Sequence, residues 1–283
     1  MKEQEINWSM VIKPRKKWFD INIKEIWRYR DLIALFVRRD FVSQFKQTVL
    51  GPIWFLIQPL ITTLMFVFVF GNIAGIPTDG IPKILFYMTG LLGWNYFSKS
   101  ITSTSNTFVS NASIFGKVYF PRLCIPISVV LSNFIHFFIQ FLFLVCFMVY
   151  YKLTGADFSP NIYILLLPVL LIIMAALSLG FGILISSLTT KYRDLSHLVN
   201  FGVQLWMYMT PVIFPLSEIH GTYRIIILLN PMTSIVETFK FALLGAGTFD
   251  YFYLFYSVIF ALVILFVGIL MFNRVEQSFM DTV

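Results

Sequence analysis

The chain has 283 residues, of which 58% are hydrophobic and only 12% charged, and its formal net charge is +7. So few polar side chains cannot cover a soluble globule of this size, which excludes a soluble enzyme or binding domain and indicates a polytopic membrane protein. Nor does the positive charge read as a nucleic-acid footprint, because 11 of the 21 Lys and Arg precede residue 49, beside the first apolar stretch.

The first 17 residues carry no periodic pattern and no apolar h-region, so no cleavable signal peptide is expected. From Phe19 a helical period places Phe19, Ile23, Ile26, Trp27, Ile33 and Ala34 on one face, with Lys24, Glu25 and Arg28 opposite. Ile21 breaks the stripe, and Arg30 sits within it, where its stem can lie along lipid. The pattern predicts an amphipathic helix on the inner membrane surface, within a cytoplasmic N-terminal region of residues 1–48. The alternative is a helix packed on another protein surface. At Gly51-Pro52 the charged stretch gives way to hydrocarbon, and basic residues just before a first span favour retention on the cytoplasmic side.

Six apolar stretches, near residues 53–73, 84–106, 123–151, 161–188, 196–214 and 252–273, meet the roughly 20 residues a helix needs to cross a bilayer core. Sixteen Lys and Arg then sort to one side and four (Lys83, Lys152, Arg224 and Lys240) to the other, with Lys99 inside a span. Both termini are therefore expected inside, N-in and C-in, with a cytoplasmic tail over 274–283. Between spans five and six, residues 211–247 are apolar but broken by Pro and Gly into pieces too short to cross, which predicts a re-entrant helical hairpin. Ser234 with Glu237 reads as a capping box starting its second helix, and Gly245 suits the end. The expected fold class is an all-α integral membrane protein: an N-terminal amphipathic interface helix, then six transmembrane helices within residues 49–273, with the hairpin between spans five and six. Cys124 and Cys146 fall about 33 Å apart along one predicted helix, beyond disulfide reach.

No Asp or Glu falls inside the six spans, where ion-coupled carriers commonly place one, and no G-x-x-x-x-G-K-[ST] phosphate loop is present. The driving force must come from a partner. Polar residues form stripes: Trp54, Gln58 and Thr62 in the first span; Ser132, Asn133, His136 and Gln140 in the third; His197, Asn200, Gln204 and Tyr208 in the fifth. They suit either a hydrated conduit or hydrogen bonds between helices. The second span combines Trp94, Tyr96 and Phe97 with many hydroxyls and Lys99, a chemistry that suits sugar rings and an anionic group; interface aromatics with a snorkelling lysine are the bland alternative. Ala175, Ser178, Gly182 and Ser186 in the fourth form a small-xxx-small packing face. The inner loops SNASIFGKVYFPRLCIP and TTKYRDLS are compact, basic and aromatic, as surfaces that dock a protein or lipid head groups are. A membrane transferase needs clustered acids or histidines, whereas Asp79, Asp157, Glu218, His220, Glu237 and Asp250 are scattered over three outer connections. No catalytic or metal site is expected.

Five stretches, RDLIALFVRRDFVSQFKQTVLGPIWFLIQPL, GKVYFPRLCIP, KYRDLSHLVNFGVQLWMYMTPVIFP, LLNPMTSIVETFK and FNRVEQSFMDTV, in this order and spacing, resemble one family over residues 20–283. It comprises the membrane permeases of polysaccharide-exporting ABC transporters of the ABC-2 type, which serve O-antigen, capsule or teichoic acid export. The resemblance implies a homodimer in the bacterial inner (cytoplasmic) membrane, with a channel between the copies and a lipid-linked polysaccharide as cargo. It also implies two copies of a cytoplasmic ABC ATPase subunit that hold ATP and Mg, no cofactor being bound by this chain. Phe19, Ile23, Ile26, Trp27, Ile114, Phe115, Lys117, Tyr119 and Arg122 would then form the docking surface. Pro211, Pro215, Asn230, Pro231 and Glu237 would belong to the outer gate. Trp54, Gln58, Trp94, Tyr96, Phe97, Lys99, Asn200, Gln204 and Tyr208 are the channel candidates. An ABC-2 exporter of a drug or small lipid would share this scaffold.

Overall fold

The computed structural model describes residues 23–46, 48, 50–115, 117–192 and 194–278, and every regular element among them is helical. Phe19 lies outside the described residues, as does the side chain of Ile23. The expected N-terminal helix is two: α1 (Ile23–Arg28) and α2 (Arg30–Phe45), separated at Tyr29, whose backbone leaves the helical region at φ −93° and ψ 18°. After a single 3-10 turn at Gly51–Ile53, which opens on Gly51 at φ 50°, the chain enters α3 (Trp54–Phe66) and ends it in a π-helical stretch, Val67–Ile73. Lys83 caps that end by donating to the Gly71 carbonyl (2.7 Å) and to Asn72 Oδ1 (2.8 Å), satisfying an acceptor that the helix terminus leaves open.

Four stretches are long and apolar enough to cross a membrane: Gly51–Ile73; α7 (Cys124–Leu153); Ile162–Thr189, which contains α8 (Leu167–Thr189); and the Tyr251–Val275 part of α12 (Tyr251–Ser278). The second expected span is α4 (Lys83–Thr104), which has the length, at 22 residues, but is too polar in its second half to meet the same standard. The reason is its position. It is buried without a break from Leu85 to Trp94 and packs against α3, α7 and α8, so protein rather than lipid surrounds much of it, and two single-turn helices, α5 (Thr107–Ser110) and α6 (Ala112–Phe115), lead from it to α7. The fifth is α9 (Leu195–Tyr208), only 14 residues, which ends where Met209 leaves the helical conformation at φ −91° and ψ 1°, two residues before Pro211.

α8 and α12 approach closely at Gly180 and Gly268. A methyl at Gly180 would stand 2.7 Å from the Leu265 amide nitrogen, and one at Gly268 would stand 2.6 Å from the Gly180 carbonyl. The small face expected from sequence, Ser178, Gly182 and Ser186, instead receives Thr104 and the Phe108 amide, which donates to Ser186 Oγ at 3.4 Å.

Between the fifth and sixth expected spans lie α10 (Thr222–Leu228) and α11 (Pro231–Leu244), bent by 91° at the break between them. The cap of α11 is a correction to the sequence reading. Asn230 accepts the Met232 amide (3.0 Å) and Pro231 occupies the first turn, so the helix begins ahead of the supposed Ser234–Glu237 box. Gly245 closes it in the left-handed conformation, at φ 73°.

Candidate functional site

The polar stripes of three helices converge on one cleft of about 560 Å³. α3 contributes Trp54, Phe55, Gln58 and Thr62, which fall on one face because they recur at helical spacing. α4 contributes Asn95, Ser98, Lys99 and Thr102; α7 contributes His136 and Gln140; and Gln44, at the end of α2, helps to close the base. Half-exposed Trp54, at 48%, offers an aromatic face beside these amides and hydroxyls. His136 has an acceptor on each side, with Nδ1 3.1 Å from the Ser132 carbonyl and Nε2 2.7 Å from Gln44 Oε1, and a neutral imidazole donates to one of the two. The Phe55 ring stands edge-on to the imidazole at 4.1 Å and receives the Lys99 ammonium over its face at 5.4 Å.

The third-span stripe thus divides. His136 and Gln140 face the cleft, whereas Asn133 is buried and donates to Ser100 Oγ (3.1 Å), an interhelical bond of the packing kind. The second-span aromatics need a correction in position. Trp94, Tyr96 and Phe97 are buried in the core and do not line the cleft: Trp94 and Phe97 pack on Trp206, and Tyr96 packs on Phe134 and Phe137. The cleft face of α4 runs instead through Asn95, Ser98, Lys99 and Thr102. Their spacing of three, four and seven residues is the signal that a reading by residue type passes over. Asn200, Gln204 and Tyr208 stand on the exposed face of α9, apart from the cleft.

The bent α10–α11 pair is tied to α9 and α12 by hydrogen bonds. Asn230 Oδ1 accepts from Trp206 Nε1 (3.0 Å), while its Nδ2 donates to Thr210 Oγ1 (2.8 Å) and the Met209 carbonyl (3.3 Å). Ser257 of α12 donates to the Pro231 carbonyl (2.8 Å), and its hydroxyl lies 2.7 Å from that of Ser234. Pro211 and Pro215 are buried in the turn that precedes the hairpin. In α11, which lies in the connection between the fifth and sixth expected spans, Glu237 and Lys240 are each 1% exposed and form a buried ion pair at 3.7 Å, a pairing that the sequence analysis does not anticipate. The Lys240 ammonium also donates to the Pro211 carbonyl and sits 3.7 Å from the Phe86 ring centre, while Glu237 Oε2 accepts the Thr248 amide (3.0 Å).

At the other end, a second apolar cluster joins the two expected docking segments. Ile33 and Phe36 of α2 meet Phe115, Phe120 and Leu123 of the segment between α4 and α7, together with Phe272 of α12. Phe115 is therefore core rather than surface, and Arg122 lies over its ring at 5.5 Å. Ile26 and Ile114 pack partly against the cluster, whereas Trp27 (71% exposed), Lys117 and Tyr119 are open.

Among known proteins, the chain is 28% identical over 253 residues to an O-antigen export system permease protein RfbA of Klebsiella pneumoniae, covering 89% of this chain and 94% of that one. It is 29% identical over 222 residues to the protein of the same name from Myxococcus xanthus, covering 77% and 82% of the two chains. To the polysialic acid transport protein KpsM of Escherichia coli it is 23% identical over 251 residues, covering 88% and 95%. Residues 31–244 match the family described as ABC-2 type transporter, a span that runs from α2 through the cleft to the end of α11. The chain belongs to the ABC-2 type transporter family.

Proposed function

We propose that this chain is the permease subunit of an ATP-driven exporter that carries a lipid-linked polysaccharide across the bacterial inner membrane. The observation that carries the reading is the cleft: amides and hydroxyls beside an open tryptophan face, one cation, and no carboxylate among the described lining residues. Such a lining suits sugar rings, which present both C–H patches and hydroxyls. The cargo class agrees with the names of the relatives, O-antigen export permeases and a polysialic acid transport protein.

On this reading α4 and α9 complete a six-span, N-in and C-in topology, and the segment 211–247 is a re-entrant outer gate. Burial supports the role of α4, since a span sheltered by protein tolerates polar residues that a lipid-facing one does not. Exposure on α9 supports a homodimer in this reading: Asn200, Gln204 and Tyr208 are exposed in the single chain, and a second copy would shield them from hydrocarbon. ATP and Mg belong to two copies of a cytoplasmic ABC ATPase. Its docking surface is Trp27, Lys117, Tyr119 and their neighbours. The test is the ATPase activity of the purified complex in lipid. Lipid-linked polysaccharide is expected to raise it while apolar drugs leave it unchanged; stimulation by drugs alone would make the chain a small-molecule exporter.

A further inference from the structure

A groove set apart from the cleft runs between α2 and α7. It holds about 670 Å³ and is walled by Ile33, Val37 and Phe41 on one side and by Ile127, Leu131 and Ile135 on the other. The Phe41 ring closes it off from the cleft, standing 6.3 Å from Phe55 and 6.4 Å from His136. Trp27 and Leu131, which also line it, are 71% and 41% exposed, so the groove opens outward, onto whatever surrounds the protein.

Its charge is one-sided. Arg30 and Arg38 are the charged residues among the described lining, and both are exposed. They lie two turns apart on one face of α2, about 12 Å along the axis. Asp40, the acid nearest to Arg38 in sequence, is engaged by Arg39 at 2.7 Å, and Arg38 has no ion-pair or hydrogen-bond partner among the described residues. Asp31 stands 3.9 Å from Arg30, but both side chains are largely in solvent and the pair is screened. Two guanidinium groups beside an apolar trough match an anion that carries hydrocarbon.

Depth identifies its source. Ile33 and Phe36 share a cluster with Leu123 and Ile125, whereas Gln44 meets His136 at 2.7 Å, so α2 runs beside the first turns of α7 in the same direction. α7 has 30 residues, about 45 Å, against a hydrocarbon core of roughly 30 Å, so its ends overhang that core. Positions 127–135 therefore straddle the level at which acyl chains give way to head groups, and Arg38 stands beside them. A soluble segment does not reach this depth, whereas a bilayer lipid is already there. A second copy seated here about a two-fold axis would bring four arginines of like charge together.

We propose that the groove is a resident site for an anionic phospholipid of the surrounding bilayer. One acyl chain lies between α2 and α7, the phosphate rests at Arg38, and Arg30 selects a head group of net negative charge. This lipid is a fixture rather than cargo: it stays on the bilayer side of Phe41 and braces α2 against α7. The site requires only that the chain is embedded in a membrane, so it stands independently of the polysaccharide reading.

The test is native mass spectrometry of the full chain, titrated with phosphatidylglycerol or with phosphatidylcholine of the same acyl chains. Phosphatidylglycerol is expected to bind about tenfold more tightly, and Arg30→Gln/Arg38→Gln to abolish that preference, as the loss of charge-assisted contacts requires. Arg30→Lys/Arg38→Lys, which keeps both charges, is expected to retain a preference. Leu131→Trp fills the groove with both arginines in place and is expected to remove the tight step as well; monodisperse elution of each variant separates these losses from misfolding. Equal affinity of the unsubstituted chain for the two lipids overturns the site, and so does a preference that survives Arg30→Gln/Arg38→Gln. If Leu131→Trp leaves the preference intact but dissociates the oligomer, the groove belongs to a second copy and the lipid assignment is overturned.

Discussion

Glu237 and Lys240 are a fully buried pair of opposite charge. Each is withdrawn from water, and each is compensated by the other together with the Pro211 carbonyl, the Phe86 ring and the Thr248 amide. Breaking a buried pair by removing one member leaves an uncompensated charge, at a cost of about 3–5 kcal/mol. Lys240→Met is therefore expected to lower the thermal midpoint of the detergent-solubilised protein sharply, and the double variant Glu237→Gln/Lys240→Met to regain most of it. Additive losses in that cycle would mean that the two side chains are not coupled. The pair was within reach of the sequence, since positions three apart share a helix face. It was missed because the start of α11 was misassigned: Asn230-Pro231, an N-cap followed by proline, is the stronger signal, and it makes Glu237 an interior residue rather than part of a cap.

At the scale of elements, helix existence was legible and helix surroundings were not. Hydropathy and length place α7, α8 and α12 closely, because a bilayer core demands long apolar runs wherever they occur. They do not reveal that α4 is sheltered by its neighbours, nor that its cleft face is set by Asn95, Ser98, Lys99 and Thr102 rather than by Trp94, Tyr96 and Phe97. Facing is a tertiary property. The same limit applies to the segment between α4 and α7, where Phe115 reads as surface by its basic and aromatic neighbours yet closes a cluster with Phe108, Phe120 and Phe272. Lys117 and Tyr119 remain open to a partner. Exchanging Lys117 and Arg122 for Glu is accordingly expected to weaken co-purification with the ATPase subunit while the permease itself stays folded. Full recovery of an active complex would place the docking surface elsewhere.

For the whole molecule, the arrangement separates two tasks. One end gathers α1, α2 and the segment between α4 and α7 around a single apolar cluster, while the other end holds the bent α10–α11 pair by hydrogen bonds to residues that follow α9 and to α12. The polar cleft and its lone cation lie between. A coupling of this kind needs two states that differ in their contacts with the fuel-burning partner, because a ligand shifts an equilibrium only by its differential affinity. Glu237, the buried acid of α11, is paired with Lys240, and the export reading assigns it no ion-coupling role. The most direct measurement is uptake of labelled lipid-linked polysaccharide into inside-out proteoliposomes containing the chain with its ABC ATPase. The account predicts uptake that requires ATP and the partner and persists when ion gradients are collapsed. Uphill transport by the chain alone, driven by an imposed proton or sodium gradient, would contradict it.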